Sequence, residues 1–546
     1  MLPSSDMDAV ARYCDALWQT RSGFNATLDD IASYAAPERG GFTAATDLPR
    51  EGREKIWDSA PEDAALTLAS ALHGMLTNPA TDWLRLTLAP EARPAPSVAM
   101  LSPSVSDDAA EFLQTVTDAM LQVYTAPASC FANEVSAFYL DLACFGWAVL
   151  YTEWRDGCGV RFRAVPPSQC AIAEDAAGMV DTVLRRWTMT PAQLAEEFGP
   201  QNVSDGTRTA LGMHGAYGMY GGQKAVNVSH LVAPRDRLPE EMTEGFQAQA
   251  DAWLSIHYET ETKHVLRRGF FAELPYAVPR WHKRSGEVYG RGPGHACLPD
   301  MRVLNRVALS QLIGAEKLAD PPLLAAGDSV IGKIKTHSGG ITYVDATQCP
   351  GGDTEKAVRQ MPVAYSLDAA ELILEKRRAA IRSAFLNDRI QLVGGPQMTA
   401  TEVIARERKQ NLVLGPVLGR LESEFLGPNV SRVFLLLCRN GIITPPPELA
   451  GAELRARYVS PISRAQRQGE AEAFGLAMQH LAPALQLNPG IVENFDFDRI
   501  ARDSQELFGF PEVWLVPEEE VARRRKERAR QAEQAQMMET LQGGAV

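Results

Sequence analysis

Apolar residues recur along this chain with two different periods, and the change of period divides its first half. Ala9, Tyr13, Leu17 and Phe24 fall at helical steps and Pro37 follows, which predicts a helix over residues 6 to 36. A second helix is expected over Pro61 to Leu76, with Pro61 in its first turn and Asn78-Pro79 beyond its end. Two more should cover Ser106 to Tyr124, with Ser106 as N-cap, and Phe131 to Leu142. From Ala148 the period falls to two: AVLYTEW, VRFRAV and MVDTVLRRWTM read as strands, with Asp156-Gly157 as the first turn. Thr190 and Pro191 then open a capped helix, and Ala252 to Tyr258 and His264 to Phe271 return to strands. Gly206 to Gly222, rich in Gly, Met and Tyr, has no period and reads as a mobile insertion. The first half is therefore mixed α+β.

Gly290 to Ala400 is patterned differently. Met301, Leu304, Val307, Leu312, Ala315 and Leu318 predict a helix over about Pro299 to Ala319, which Asp320-Pro321-Pro322 ends because proline lacks a donor. Leu367, Ala370, Leu374, Ile381 and Phe385 predict a second helix. At 1.5 Å per residue each rod is about 30 Å long. Between them lie short β-like runs, IGKIK and ITYV, around Gly339-Gly340. Two apolar-striped rods with no internal partner of matching length have the form of a subunit that packs beside copies of itself. Beyond Ala400, helices are expected over Thr401 to Leu414 and Val417 to Asn440, the latter bent or broken at Gly427-Pro428. Pro445-Pro446-Pro447 marks a boundary, Ser463 to Asp503 reads as helical, and Pro517 to Leu541 is a charged helix.

At 546 residues, 45% hydrophobic and 22% charged, the chain has room for several globular domains. No apolar run reaches the 18 or so residues of a membrane helix, and no basic-then-apolar segment opens the chain, so neither a span nor a secretory signal is expected. The eight cysteines lie far apart with no C-x-x-C pair, which points to buried free thiols in a reducing compartment. Net charge is −14. A tight DNA binder is normally basic, because neutralised phosphates supply its affinity. A channel that lets DNA slide needs few such contacts, and plain solubility explains the acidity equally well.

Signatures of catalysis are missing. There is no G-x-x-x-x-G-K-[ST], no H-E-x-x-H, no G-x-S-x-G and no paired Cys/His spacing for zinc. His282, His295 and His337 are isolated, and Glu259, Glu261 and Lys263 mimic a nuclease E-x-K strand only loosely, so a solvated strand face is expected there. Gly290-Arg291-Gly292-Pro293-Gly294 lacks the strand-to-helix setting of a dinucleotide fold and reads as the turn into the long helix. No enzyme, metal or cofactor is expected.

Several ordered segments carry a family resemblance. They are DSAPEDAALTLASALHGMLTNPATDWLRL (58 to 86), DLACFGWAVLYTE (141 to 153), LPYAVPRW (274 to 281), GEVYGRGP (286 to 293), DPPLL (320 to 324), MTATEV (398 to 403) and YVSPISRAQR (458 to 467). Together they resemble the portal, or head-to-tail connector, of short-tailed bacteriophages over roughly residues 1 to 515.

The resemblance implies an α+β multidomain protomer. Its parts would be a wing over residues 1 to 298, stem helices over 299 to 320 and 366 to 386, and a clip over 321 to 365. A tunnel loop would occupy 387 to 398, with the wing resuming over 399 to 457 and a crown over 458 to 546. It further implies a homo-oligomeric ring, a dodecamer, at a capsid vertex of the virion. Such a ring is assembled in the host bacterial cytoplasm against the major capsid protein and scaffold. It passes double-stranded DNA, docks the terminase large subunit and then the tail adaptor protein. Asn387, Asp388, Arg389, Ile390 and Gln391 would belong to the tunnel loop, unless this stretch is a plain connector between helices. Lys333, Lys335, Ile341 and Tyr343 would lie in the clip facing motor and tail, unless the lysines are ordinary strand-face residues. The Arg523 to Arg530 cluster would contact DNA or be a solvated helix face. A DNA-trimming nuclease and an internal scaffold without a channel are the rival classes.

Overall fold

The computed structural model describes residues 4–43, 56–88, 107–213, 225–237, 253–325, 330–336, 340–349, 351, 353–361, 367–390, 415–444 and 454–458, with short stretches between 475 and 531. The chain forms two compact units, one of Met1–Met398 with Val413–Tyr458, the other of Thr399–Leu412 with Val459–Val546.

In the larger unit α1 (Ser4–Ala35) buries Met7, Val10, Cys14 and Leu17, a face one residue round from the stripe expected through Ala9 and Tyr13. Next come α2 (Ala60–Leu76), β1 (Leu84–Leu88), α3 (Asp107–Thr125) and α4 (Phe131–Phe145), whose bounds agree with the helical periodicity apart from a longer α4. Ser106 lies outside the described residues. Trp83, Tyr124, Phe131 and Phe162 pack as an aromatic cluster, with Tyr124 and Phe131 edge-on at 4.7 Å.

Two antiparallel sheets follow, built from β2 (Val149–Arg155), β3 (Gly159–Val165), β4 (Cys170–Glu174), β5 (Val180–Met189), α5 (Pro191–Phe198), α6 (Asp205–Met213), β6 (Val226–Pro234), β7 (Trp253–Glu259), β8 (Val265–Phe271) and β9 (Tyr276–Ala277). β3-β2-β9 form one sheet and β4-β5-β6-β7-β8 the other. The larger sheet is covered on both faces. Ala171, Leu184, Leu231, Leu254 and Ile256 meet α1, while Val228 and Leu266 meet Leu194 and Phe198 of α5. Burial on both faces explains why β6 is buried without a break from Val228 to Ala233, Ser229 and His230 included. Thr190 caps α5 as expected, and the structure adds a reciprocal capping box with Gln193. The expected mobile insertion at Gly206 to Gly222 is helical as far as Met213, because Asp205 begins α6 there; the rest lies outside the described residues.

The long helix α7 spans Pro293–Ala319 and starts six residues before the expected Pro299. Pro293 occupies its first turn, where the missing N–H costs nothing, and Pro299 is accommodated inside the helix. After β10 (Leu323–Ala325), β11 (Val330–Ile331), β12 (Tyr343–Val344) and β13 (Val358–Gln360) the chain returns as α8 (Leu367–Ala384). α9 (Asn387–Ile390) follows, then a helix over 415–421, a π-turn at Glu422–Leu426, α10 (Gly427–Arg439) and β14 (Leu454–Tyr458). Gly427-Pro428 therefore does not break the expected helix. The strain is absorbed by a π-turn in which the Gly427 N–H bonds to Glu422 O, one residue farther back than in an α-helix.

The entry to α7 is fixed by backbone contact. Gly146, at φ +75°, ends α4, and Gly290, Gly292 and Gly294 cross directly over it; a Cβ on Gly292 would lie 2.7 Å from Gly146 Cα. Close packing of two backbones, more than the turn expected, accounts for this run of glycines.

Candidate functional site

α7 and α8 form an antiparallel hairpin. Arg377 Nη1 donates to Asp300 Oδ1 at 2.6 Å and Gln311 Nε2 to Glu371 Oε2 at 3.0 Å, so the start of α7 meets the later part of α8. Its inner seam holds Met301, Leu304, Ala308, Ala370, Leu374, Ile381 and Phe385, all buried. Beyond Ala308 only Gly314 is buried on α7. Leu312 and Leu318, expected on the same apolar stripe, are 46% and 44% exposed, and Val303, Ile313, Leu372 and Ile373 are exposed with them. The reason is length: beyond the body of the unit only two helices run side by side, and two rods cannot cover each other's full circumference.

The excursion between the helices carries further open apolar surface. β10 pairs with β13, and β11 with β12 through Val330↔Val344 and Ile331↔Tyr343. Cross-strand partners share a face, so Ile331 and Tyr343 lie together, 60% and 65% exposed, with Ile341 two residues along at 62%. Lys333 and Lys335 are exposed in the same hairpin. These strands are only two residues long, shorter than the IGKIK and ITYV runs suggested.

After α8 the chain turns at Leu386, whose φ is +61°. Asn387, Asp388, Arg389 and Ile390 then form the helical turn α9 in place of the open loop expected, and Asn387 is buried in the unit that α2 and α8 share. Asp388 is exposed; Gln391 to Gln397 lie outside the described residues.

Residues weighed for chemistry have structural partners. Glu259 is not on a solvated face: it is buried and accepts from Ser204 N at 3.1 Å and from the hydroxyls of Thr207 and Thr262, which together hold its carboxyl below the ordinary range against the effect of burial. Lys263 is paired with Asp8, and Glu261 is near Asn227. His295 accepts from Gly292 N at 3.4 Å, and burial pushes it down to about 4. His337 lies outside the described residues. Among the described residues no three His, Cys, Asp or Glu side chains gather as a metal site, and no helix is long and apolar enough to cross a membrane. Five of the eight free cysteines are buried, but Cys158, at the tip of the β2–β3 hairpin, is exposed. In the smaller unit Arg523 and Arg524 pair with Glu520, and Arg525 with Asp498, so the first three cations of this cluster have acidic partners.

One signal missed by periodicity is a buried polar hub. Arg280 is fully buried, and all five of its side-chain donors are used: Nε and Nη2 on Glu424, Nη1 on Glu174 and Val288 O, and Nη2 again on Gly178 O. Its position within LPYAVPRW, between apolar residues, is the only trace of this in the sequence.

The family model described as bacteriophage head to tail connecting protein matches residues 7–515, and the chain belongs to that family. A probable portal protein of Bordetella phage BPP-1 is 30% identical over 526 residues, covering 94% of this chain and 90% of the relative. The portal protein of Salmonella phage epsilon15 is 27% identical over 560 residues, covering 100% and 95%. A chain in the virion of a native gene transfer agent particle overlays with a TM-score of 0.34 at 11% identity, over 80% of this chain and 93% of that one.

Proposed function

We propose that this chain is the portal subunit of a phage particle, a structural and not an enzymatic part. Copies close into a ring, a dodecamer, at one capsid vertex, where head-to-tail contacts repeat by rotation until they meet. The ring passes double-stranded DNA during packaging and ejection. The observation that carries this reading is the α7–α8 hairpin, whose outer apolar residues Leu312, Ile313, Leu372 and Ile373 are left open in a single chain of the connector family. A neighbouring copy would bury them, and each fully covered side chain of this size is worth about 1.5 to 3 kcal/mol. In this reading α7 and α8 are the stem and residues 321 to 365 the clip. The clip offers Ile341, Tyr343, Lys333 and Lys335 to the terminase large subunit and then to the tail adaptor protein, after assembly in the host cytoplasm with major capsid protein and scaffold. Residues 387 to 398, with Asp388, Arg389, Ile390 and Gln391, border the channel, anchored by the buried Asn387, and residues 458 to 546 form the crown.

Native mass measurement and negative-stain microscopy of the purified protein test it. A closed ring with a central hole wide enough for a duplex is expected. A stable 59.6 kDa species at micromolar concentration, filaments or solid particles would overturn it, the last favouring a scaffold without a channel.

A further inference from the structure

The buried hub at Arg280 does more than satisfy charges. The segment from Pro279 to Gly292 leads into α7 and is held at both ends. At its far end Gly290 and Gly292 lie on the Gly146 backbone. At its near end the Arg280 backbone N–H and side chain both bond to the Glu424 carboxylate, at 2.9 Å for N and 2.7 Å for Nη2, while Trp281 N donates to Gly146 O at 2.8 Å. Glu424 sits inside the π-turn. The helix upstream buries Leu418 and Leu421, and the helix downstream buries Asn429, Val430, Arg432, Val433, Leu436 and Leu437. The π-turn between them buries three consecutive residues, Glu424, Phe425 and Leu426, and so presents the carboxylate to Arg280. Pro428, with no N–H to give, favours the irregular turn at this place.

We propose that Arg280 is a mechanical joint: through Glu424 it ties the base of the α7–α8 hairpin to helix 415–439, so that the two move as one body. Glu174 completes the joint, linked to Arg280 at 2.8 Å and to Lys283 at 2.6 Å, and adds the β4–β5 turn, while Arg420 lies 4.0 Å from the Glu424 carboxylate. An ion pair this buried is not needed for stability as such, because apolar residues of similar volume often serve as well. What apolar residues cannot do is define a single angle between the segments, and five directed donors on four acceptor residues can. Without the joint the hairpin retains its own packing but pivots on the glycine crossing.

The test is hydrogen exchange on the full-length protein, comparing wild type with the Arg280→Met/Glu424→Met double variant, which removes both charges together. Exchange should rise about tenfold at residues 280–292 and 422–427 and stay unchanged in β6 and β7, as expected for a local opening. Exchange within about twofold of wild type at both segments would overturn the proposal. So would uniform acceleration over the whole unit, because that is the result of a generally weakened fold. Should the double variant fail to fold, Arg280→Lys retains the charge and loses the fork. It should give a smaller rise confined to the same two segments, and a uniform rise or none refutes the joint.

Discussion

Replacing His257 by leucine should flatten the acid side of the stability profile. His230 on β6 and His257 on β7 are direct cross-strand partners, their rings stacked at 3.7 Å and 11° inside the five-stranded sheet. His230 is bonded to Tyr276 Oη at 2.8 Å and to Ser255 Oγ at 3.0 Å, whereas His257 Nδ1 is buried with no partner. Burial, with Arg185 and Arg267 as the charged neighbours, pushes His257 down to about 3 and His230 well below its ordinary value. Both rings are therefore neutral in the folded chain at pH 5, while the unfolded chain binds a proton on each below about 6.5. The unfolded state then holds more protons, so stability is fully present above about pH 6.5 and falls as pH drops toward the folded values. Between pH 7 and pH 5 each histidine costs about 1.5 pH units at 1.4 kcal/mol per unit, or about 2 kcal/mol, and the pair about 4. His257→Leu removes one of these contributions and also the unpartnered nitrogen. Urea unfolding at both pH values, followed by tryptophan fluorescence with Trp187 6.4 Å from the ring, reads the difference directly. If wild type and variant lose the same stability to within about 0.5 kcal/mol, the buried neutral pair is refuted.

Ile313→Glu with Leu372→Glu should convert the ring to monomers while leaving the circular dichroism spectrum unchanged, read by sedimentation; intact rings would remove the hairpin from the interface. Ile341→Glu with Tyr343→Glu should weaken tail-adaptor or terminase capture more than ring formation, and rings that dissociate while binding per ring is unchanged would contradict that assignment. Gly292→Ala drives a Cβ to 2.7 Å from Gly146 Cα, backbone against backbone, and should cost about 3 kcal/mol or more by thermal unfolding, well above an ordinary exposed glycine substitution. Asp141→Ala leaves Arg39, whose Nε donates to it at 2.7 Å, without its buried carboxylate, and should cost about 3 to 5 kcal/mol in the same assay.

Elements whose stability is local were legible in the sequence. Helix α5 carries its own cap in Thr190, Pro191 and Gln193, and β2 and β3 alternate around a glycine turn, so a short window contains everything that decides them. The apolar stripe of α7 was legible as a helix but not as a burial pattern, because where α8 and the body of the unit stop covering it is a matter of tertiary geometry. β1 and β14 were missed: five residues each, they exist only through pairing with one another. An irregularity at Gly427-Pro428 was legible as a bend or break; that it turns Glu424 toward Arg280, far away in the chain, was not. The crossing at Gly146 has the same character, since nothing near Gly292 tells that another backbone lies there. Of the surface proposed for assembly, the amino-acid pattern gave the hairpin, and the exposed half of it became visible only with both helices in place.

The pairing of β1 with β14 also sets a timetable for synthesis. Leu84 meets Tyr458 and Leu88 meets Leu454, so the last strand of the larger unit leaves the ribosome after nearly all of the chain. At about 5 to 20 residues per second, the roughly 370 residues between them take about 20 to 75 seconds to translate. Throughout that interval β1 has an open edge, and once Ala384 has emerged the open apolar face of α7 and α8 is exposed on the nascent chain as well. Neighbouring ribosomes on one message would carry many such unfinished chains close together. A chain truncated between Ala384 and Leu454 would keep the α7–α8 hairpin while lacking the strand that closes β1.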